Sequence, residues 1–494
     1  MVKQYILAID QGTSSTKAIV FDDEGKVIAK ATEPLKTFYS DGGFVEQDPE
    51  EIYTNVLASV KNCLTEFKYT GGNIADIKTC GISNQRETFV VWDENGKPLH
   101  NAVVWQCKRS IEVCKKLEDQ HGLAAEITSK TGLIIDPYFS GTKLIWLYEN
   151  EPTVKNAIDA GKAYFGTIDT WLLYKFTKGA QYLTDYTNAS RTLFFNLHTL
   201  SWDEELLQKF GLATVNLPQL KSSSGNFGAS DLGGLFPQPI TIGSMIGDSH
   251  AAAFGEGCFD AGTAKATLGT GCSILMNIGD KPKTSGNGMI TTICWSMEGR
   301  VDYALEGVIV SCGATIEWLR NELDLFSDSK QTETMATSVA NNNGVYIIPA
   351  FSGLGAPYWD MSRKAEIKGL TFSSNKKHVV RAALESIPYQ VKDVITAMEQ
   401  DTGVGLQQLM VNGGITSNGF VLQFMADLLD RDLINRGIAD VSALGAAYLA
   451  GLQCGVFKDL DHLKQLTGDR VSFSPAIDKE KVQHWYQGWK EAIK

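Results

Sequence analysis

Tyr5–Ala31 reads YILAIDQGTSSTKAIVFDDEGKVIAKA: three apolar runs cut by two polar turns. The first cut, Asp10-Gln11-Gly12-Thr13-Ser14-Ser15-Thr16-Lys17, is rich in glycine and hydroxyls, and the second is Asp22-Asp23-Glu24-Gly25. Apolar runs this short, bounded by Gly, Asp and Ser, predict strands joined by tight turns. The segment is therefore expected to be a three-stranded antiparallel meander that opens, from Met1 to Asp10, on a buried strand. Helical spacing follows in DPEEIYTNVLASVKNCLTEF, with Asp48 as N-cap, Pro49 in the first turn and Ile52, Val56, Val60 and Leu64 four apart. ADIKTCGISNQ then predicts a strand ending near Gly81. Strands alternating with helices place the chain in the α/β class.

A comparable order returns in AKATLGTGCSILMNIG, where a glycine turn separates two apolar runs, and helices such as ALEGVIVSCGATIEWLRNEL are expected after it. Two versions of one unit, or an ordinary doubly wound α/β protein, both fit this pattern. A length of 494 residues exceeds what one core usually supports, so two domains are expected, residues 1–252 and 253–494, with the boundary near 250–260.

Composition narrows the function. Lys and Arg number 45 against 57 Asp and Glu, a net charge of −12, which disfavours nucleic acid as a partner. No apolar run approaches the ~18 residues of a membrane span, and the first residues lack a signal-peptide cleavage region. Nine scattered cysteines without a CxxC pair fit reduced thiols in the cytoplasm. The Asn188-Ala-Ser sequon is then without consequence.

Several turns have the makings of phosphate chemistry. In the first, Gly12 permits a tight bend, Thr13, Ser14 and Ser15 offer hydroxyls and backbone donors, and Asp10 can hold a hydrated magnesium ion; a plain hairpin explains the same residues. Gly269-Thr270-Gly271 repeats this character in the second half. A pair of such loops resembles the way actin-like ATPases hold one nucleotide's phosphates from both sides. Asn412-Gly413-Gly414-Ile415-Thr416-Ser417-Asn418 offers backbone to an adenine or ribose, or is a strand-to-helix turn capped by Thr416 or Ser417. No P-loop, no protein-kinase motif and no convincing dinucleotide fingerprint is present.

Asp248, in MIGDSHAAAFGEG, ends an apolar strand as a small-residue helix begins, a position that suits a general base or an N-cap. His250 nearby is more readily a packed residue than a catalytic one. Arg86 and Glu87, in GISNQRET, can bind substrate hydroxyls or form a surface ion pair. Trp105, in AVVWQCKR, and Tyr138, in DPYFSGTK, can give a polyol a flat apolar wall or belong to the core.

Taken together these segments resemble the FGGY carbohydrate kinase family, and within it the glycerol kinases. YFSGTKLIWLYEN (138–150) and AEIKGLTFSSNKKHVVRAALE (365–385) are similar to the family's two signatures. DQGTSSTK, GGFVEQDP, VVWQC, NASRTLFFN, YALEG, PAFSGLGAPYWD and ALGAAYLAG carry the glycerol-kinase character. The resemblance implies two actin-like (ribonuclease H-like) ATPase domains flanking a catalytic cleft, ATP with Mg2+, and a homodimer or homotetramer. It also implies phosphoryl transfer to a terminal hydroxyl of a small polyol or sugar, with Asp248 as proton acceptor and Asp10 and Asp248 on the metal side. Arg86, Glu87, Trp105, Tyr138 and Asp248 with its neighbour Ser249 match acceptor positions. Thr13, Ser14, Ser15, Thr270, Gly313, Gly414 and Asn418 match nucleotide contacts. Glycerol is the first expectation; a longer polyol or ketose such as erythritol, threitol, xylulose or ribulose is the alternative, and an actin-like ATPase without an acceptor is a third.

Four positions depart from the pattern. Ser249 stands where glycerol kinases usually have Gln, and Ser273 where they have Phe, so both side chains beside the acceptor shrink. Losing a buried Phe removes roughly 1.5–3 kcal/mol of apolar packing and makes room for a longer acceptor. Lys17 replaces an Arg on the nucleotide side, keeping the charge without the planar fork. Glu317 replaces a Gln.

Overall fold

The computed structural model describes residues 3–466 and 471–494; Met1 and Val2, at the head of the predicted first strand, lie outside the described residues. The meander forms as its turns predict: β1 (Tyr5–Gln11), β2 (Ser15–Asp22) and β3 (Val27–Pro34) pair antiparallel, with Ile9 opposite Ala18 and Val20 opposite Ala29. The Gly12 N–H closes the first turn on the Ser15 carbonyl at 3.0 Å. In the second, the Asp22 carboxylate accepts from the backbone of Glu24 and Lys26. The helix α1 (Pro49–Tyr69) begins where the Asp48 side chain accepts from the Glu50 N–H, and it buries Ile52, Val56, Val60 and Leu64 against the sheet. Each such side chain contributes roughly 1.5–3 kcal/mol, enough together to fix the helix on the meander.

β4 (Ile77–Asn84), running three residues beyond Gly81, lies parallel to β1, and β5 (Ile240–Gly247) lies parallel to β4. The first sheet thus has the order β5-β4-β1-β2-β3, with the short Ala229–Ser230 strand at its edge. From β5 the chain enters α2 (Asp248–Gly255) and then a second sheet. Its strands are β6 (Thr263–Leu268), β7 (Cys272–Gly279), β8 (Ile290–Met297), β9 (Arg300–Ile309), β10 (Gln408–Asn412) and β11 (Leu433–Asn435), with the short Val471–Phe473 strand at the edge beside β11. β7 is antiparallel to β6 and to β9, while β10 and β11 run parallel to β6. The order β9-β7-β6-β10-β11 therefore repeats β3-β2-β1-β4-β5 in sequence and direction, with β8 added outside β9. Of the two readings the sequence left open, this repeat favours two versions of one unit.

One expected helix differs. ALEGVIVSCGATIEWLRNEL is the end of β9 followed by α3 (Gly313–Asn321), not a continuous helix. Its first half is held as a strand by partners on both sides, β7 and β8, and those ladder bonds outweigh the local helical spacing.

The long helix α4 (Lys376–Thr402) covers the second sheet, and α5 (Gly419–Leu429) follows β10. α6 (Val441–Cys454) comes from the end of the chain yet packs on the first sheet, where the Ser244 hydroxyl donates to the Ala446 carbonyl at 2.7 Å. It crosses α2 backbone to backbone: a Cβ on Gly445 would lie 1.9 Å from the Ala251 carbonyl, so only glycine fits. Ile6, Ile246, Phe254, Leu275, Trp295, Met410 and Leu449 form one buried cluster around this crossing, joining the two sheets below an open cleft. Asn188, head of the sequon, is buried and bonded to Asn84 and Asp185. Among the described residues no helix is long and apolar enough to cross a membrane.

Candidate active site

The glycine turns of the second half are stitched into one patch. Gly269 N–H bonds the Gly271 carbonyl, Cys312 and Ala314 N–H both reach the Thr270 carbonyl, and Gly313 N–H bonds the Gly269 carbonyl at 2.9 Å. Gly413, at φ 98°, packs so closely that a Cβ would sit 2.4 Å from the Leu268 carbonyl. Gly414 faces open space. The helix after this turn is capped by Asn418, whose side chain accepts from Val421 N–H at 3.2 Å and donates to the Thr332 hydroxyl. Thr416 and Ser417, weighed as caps, instead donate back to the carbonyls of Gly413 and Gly414. Glu317 is exposed on α3 and pairs with Arg320.

Across the cleft, the turn of the first half is tied to the aromatic wall: the Trp105 indole N–H donates to the Thr13 hydroxyl at 2.9 Å. Trp105 and Tyr138 meet edge to face with ring centroids 5.6 Å apart. Lys17 does not stand free beside this turn. Its ammonium lies 3.0 Å from Asp440, which Lys30 also holds at 2.7 Å, so the first meander is linked to the start of α6.

Arg86 and Glu87 are both buried and do not pair with each other. Arg86 Nε reaches Asp248 Oδ1 at 3.2 Å and its Nη1 lies 3.0 Å from Glu306 Oε1. Glu87 pairs with Arg191 Nε at 2.5 Å, and Arg191 Nη1 lies 2.8 Å from the other Glu306 oxygen. Two arginines and two glutamates thus form a buried quartet linked in the order Arg86–Glu306–Arg191–Glu87. Burial alone would push the Glu306 carboxyl up, yet Arg191 and Arg86 outweigh it and hold the group far below the usual carboxylate range. Asp248 hangs from the edge of this quartet, 39% exposed to the cleft, with Oδ1 also accepting from Ser249 N–H at 2.6 Å. Lys265, buried on β6, donates to the Ser249 hydroxyl at 2.9 Å. Its ammonium is pushed below its ordinary pKa by burial and by Arg86. His250 is buried too, and burial together with the two arginines keeps it neutral.

These groups line two adjoining cavities. One, of about 650 Å³, has Asp248, Ser249, Lys265, Asn412, Gly413 and Thr416 in its wall. The other, of about 690 Å³, is walled by Trp105, Tyr138, Arg191 and Glu306. Arg86, Thr267 and Ser273 border both. Volumes of this size suit small-molecule ligands.

Asp10, at the end of β1, accepts from the Ser83 hydroxyl at 3.0 Å. Burial raises its carboxyl to about 6; Lys17 acts against this, while Asp248 and Asp440 add to it. Among the described residues no group of three or more His, Cys, Asp or Glu is placed to hold a metal alone. Asp10 and the nearby Asp248 offer the one or two carboxylates that magnesium takes while it keeps most of its waters and binds phosphate oxygens.

Two successive stretches of the chain match different halves of one family description. Residues 5–255 match the N-terminal domain, and residues 264–454 the C-terminal domain, of the FGGY family of carbohydrate kinases. The chain belongs to the FGGY carbohydrate kinase family. Within the family it is 45% identical to the glycerol kinase of Thermoanaerobacter sp. (strain X514), over 99% of this chain and 98% of that one. It is equally identical to the glycerol kinase of Vibrio cholerae serotype O1 (strain ATCC 39315 / El Tor Inaba N16961), over 100% and 97%. The crystal structure of Plasmodium falciparum glycerol kinase with ADP superposes with a TM-score of 0.94 at 36% identity, covering 99% of this chain and 97% of that one. The fold is accordingly that of the FGGY kinases, with its two repeated sheets in the place of the actin-like domains.

In this FGGY kinase the structure brings Arg86, Trp105, Tyr138, Asp248 and Ser249 to one cleft, with Thr13, Thr270, Gly313 and Gly414 on turns around it, while Glu87 lies buried behind the cavity wall on Arg191. Sequence reasoning assigned no role to Glu306, Arg191 or Lys265, which complete the charge network. The raised carboxyl of Asp10 sets a pH expectation. As pH falls through about 6, Asp10 takes up a proton and loses its charge toward a cation, so kcat/KM for magnesium-ATP is expected to fall on the acid side. Asp10→Asn should abolish that limb of the profile; an acid limb unchanged in the variant would assign it to another group.

Proposed function

We propose that this kinase transfers the γ-phosphoryl group of ATP to a terminal hydroxyl of glycerol, giving glycerol 3-phosphate and ADP. One observation carries the reading: the Asp248–Arg86 pair sits where a cavity rimmed by glycine turns meets a second walled by Trp105, Tyr138 and the buried quartet. The relatives named above support glycerol as the acceptor. In this reading residues 1–252 bind the acceptor and phosphates, and residues 253–494 bind the nucleotide.

Arg86 and Glu87 orient the acceptor's hydroxyls, held in place by Glu306 and Arg191. Trp105 and Tyr138 cover its carbon chain. The terminal hydroxyl donates its proton to Asp248 as its oxygen bonds to the γ-phosphorus, and the bond to the β-phosphate oxygen breaks, releasing ADP. Backbone N–H groups and hydroxyls of the turns at Thr13, Ser14 and Ser15 and at Thr270 cradle the phosphates, while Gly313, Gly414 and Asn418 frame the nucleotide. Asp10, with Asp248 beside it, would hold magnesium, which when bound neutralises charge on the β- and γ-phosphates. Little covalent work falls to the protein, so positioning and charge dominate the rate. Nine free cysteines, eight of them buried, support a reducing, cytoplasmic setting.

A second reading, a four- or five-carbon acceptor, is favoured by Ser273. This short side chain borders both cavities, with its hydroxyl 3.4 Å from Glu306, and leaves the acceptor end wide. The test is kcat/KM for glycerol, erythritol, threitol, xylulose, ribulose and gluconate. Glycerol is expected to lead; a longer acceptor in first place would replace it as the substrate. Ser273→Phe is expected to lower kcat/KM for tetritols and pentuloses, relative to glycerol, by about 10–200-fold. An unchanged ratio would remove Ser273 from the acceptor wall.

A further inference from the structure

Lys143 lies in the helix Ser140–Asn150 with no exposed surface. Among the described residues no salt bridge engages its ammonium. Its Nζ donates instead to three backbone carbonyls: Tyr138 at 2.7 Å, Pro137 at 3.0 Å and Trp105 at 3.4 Å. Those carbonyls belong to two segments far apart in sequence, one ending the Ala102–Val103 strand and one leading into the helix. An apolar side chain of similar volume would fill the same space without the cost of burying a charge. What lysine adds is three directed donors at one point, and that point is the junction of the two segments bearing the cavity's aromatic rings.

We infer that Lys143 is a positioning residue for the acceptor, fastening the Trp105 segment to the Pro137–Tyr138 turn and so fixing the separation of the two rings. This rests on the proposed reading of Trp105 and Tyr138 as the acceptor wall. The other anchors of the rings support it. Trp105 is held from its far side by N–H bonds to the hydroxyls of Thr88 and Thr13, and Tyr138 N–H donates to Asp136. None of these bonds joins one ring's segment to the other. The Lys143 ammonium does, and the geometry it sets is centred on the acceptor cavity, reaching the phosphate turns only through the Trp105 indole bond to Thr13.

The test measures KM for the best acceptor and for ATP separately, in the wild type, Lys143→Met and Lys143→Gln, with a melting curve for each. Met removes all three donors; Gln retains two and a similar volume. The acceptor KM is expected to rise about tenfold or more in Lys143→Met, because small misplacements of a reactant cost rate steeply. It should rise less in Lys143→Gln, with a smaller rise in the ATP KM than in the acceptor KM in both, since Trp105 also bonds Thr13. An acceptor KM that stays at the wild-type value in a folded variant would overturn the inference. So would parallel rises in both KM values, or failure of both variants to fold, since either would make Lys143 a general stabilising residue. A wild-type protein that turns over no acceptor would overturn the acceptor reading itself, before any variant is compared.

Discussion

Asp248→Asn is expected to lower kcat about 10²–10⁴-fold, the range supplied by a positioned general base, while leaving affinity for the magnesium-free nucleotide unchanged. The amide keeps the side chain's size and one oxygen to accept the Ser249 N–H, so the start of α2 stays in place. Arg86 loses one ionic partner but retains Glu306, so no cation is left unpaired in the interior. What disappears is the carboxylate at the meeting of the two cavities that can take the hydroxyl proton while itself exposed to the cleft. His250, the other nearby candidate, is enclosed and faces the Thr292 hydroxyl at 3.4 Å. The comparison is ADP release under saturating acceptor, with nucleotide binding followed by calorimetry. Turnover retained in Asp248→Asn would refute the assignment of the base.

Glu306→Gln is expected to be the most destabilising of these single changes. Glu306 is 2% exposed and lies within 3.0 Å of both Arg86 and Arg191, which are themselves 8% and 0% exposed. Neutralising it leaves two buried guanidiniums sharing Glu87 and the half-exposed Asp248. Breaking a buried pair in this way costs about 3–5 kcal/mol, to be read as a fall in Tm and in the denaturant midpoint. The sign with pH follows from the depressed carboxyl. Its stabilisation is fully present above the unfolded carboxylate's pKa of about 4.3 and is lost only as pH falls well below it. The wild type should therefore lose this contribution only in strong acid, and the variant should lack it at every pH. A variant as stable as the wild type would mean that the quartet contributes no net stability. Acceptor KM should rise with the loss, because Arg86 is no longer held from behind.

Local chemistry made much of the fold legible. The β1–β2–β3 meander and α1 follow from short-range signals: polar turns between β-branched runs, a proline in the first turn and an aspartate that caps it. The same signals marked the Gly269–Gly271 turn. Reading ALEGVIV as helix failed for a physical reason, since the residues that make it a strand lie on β7 and β8 and only pairing reveals them. The site was legible where a residue ends a strand, as Asp248 and Asp10 do. Glu306, Arg191 and Lys265 were missed because each sits inside an apolar stretch; Glu306 and Arg191 depend on partners 100 or more residues away, and Lys265 on Ser249 at the start of α2. Their signal was nonetheless present: a charged residue in the middle of YALEGVIV, SRTLFF or AKATL cannot be left unpaired in a core. The repeat was one of two readings the sequence allowed, and strand pairing decided between them, because pairing order and direction leave little trace in residue identity.

The most direct measurement is the yield of phosphorylated product against ADP, using the purified protein, magnesium-ATP and glycerol, beside a reaction without acceptor. The account predicts one glycerol 3-phosphate for each ADP formed, and negligible ADP when glycerol is withheld. ADP released at the same rate with and without glycerol, and no phosphorylated polyol, would contradict it and leave an ATPase without a small-molecule acceptor.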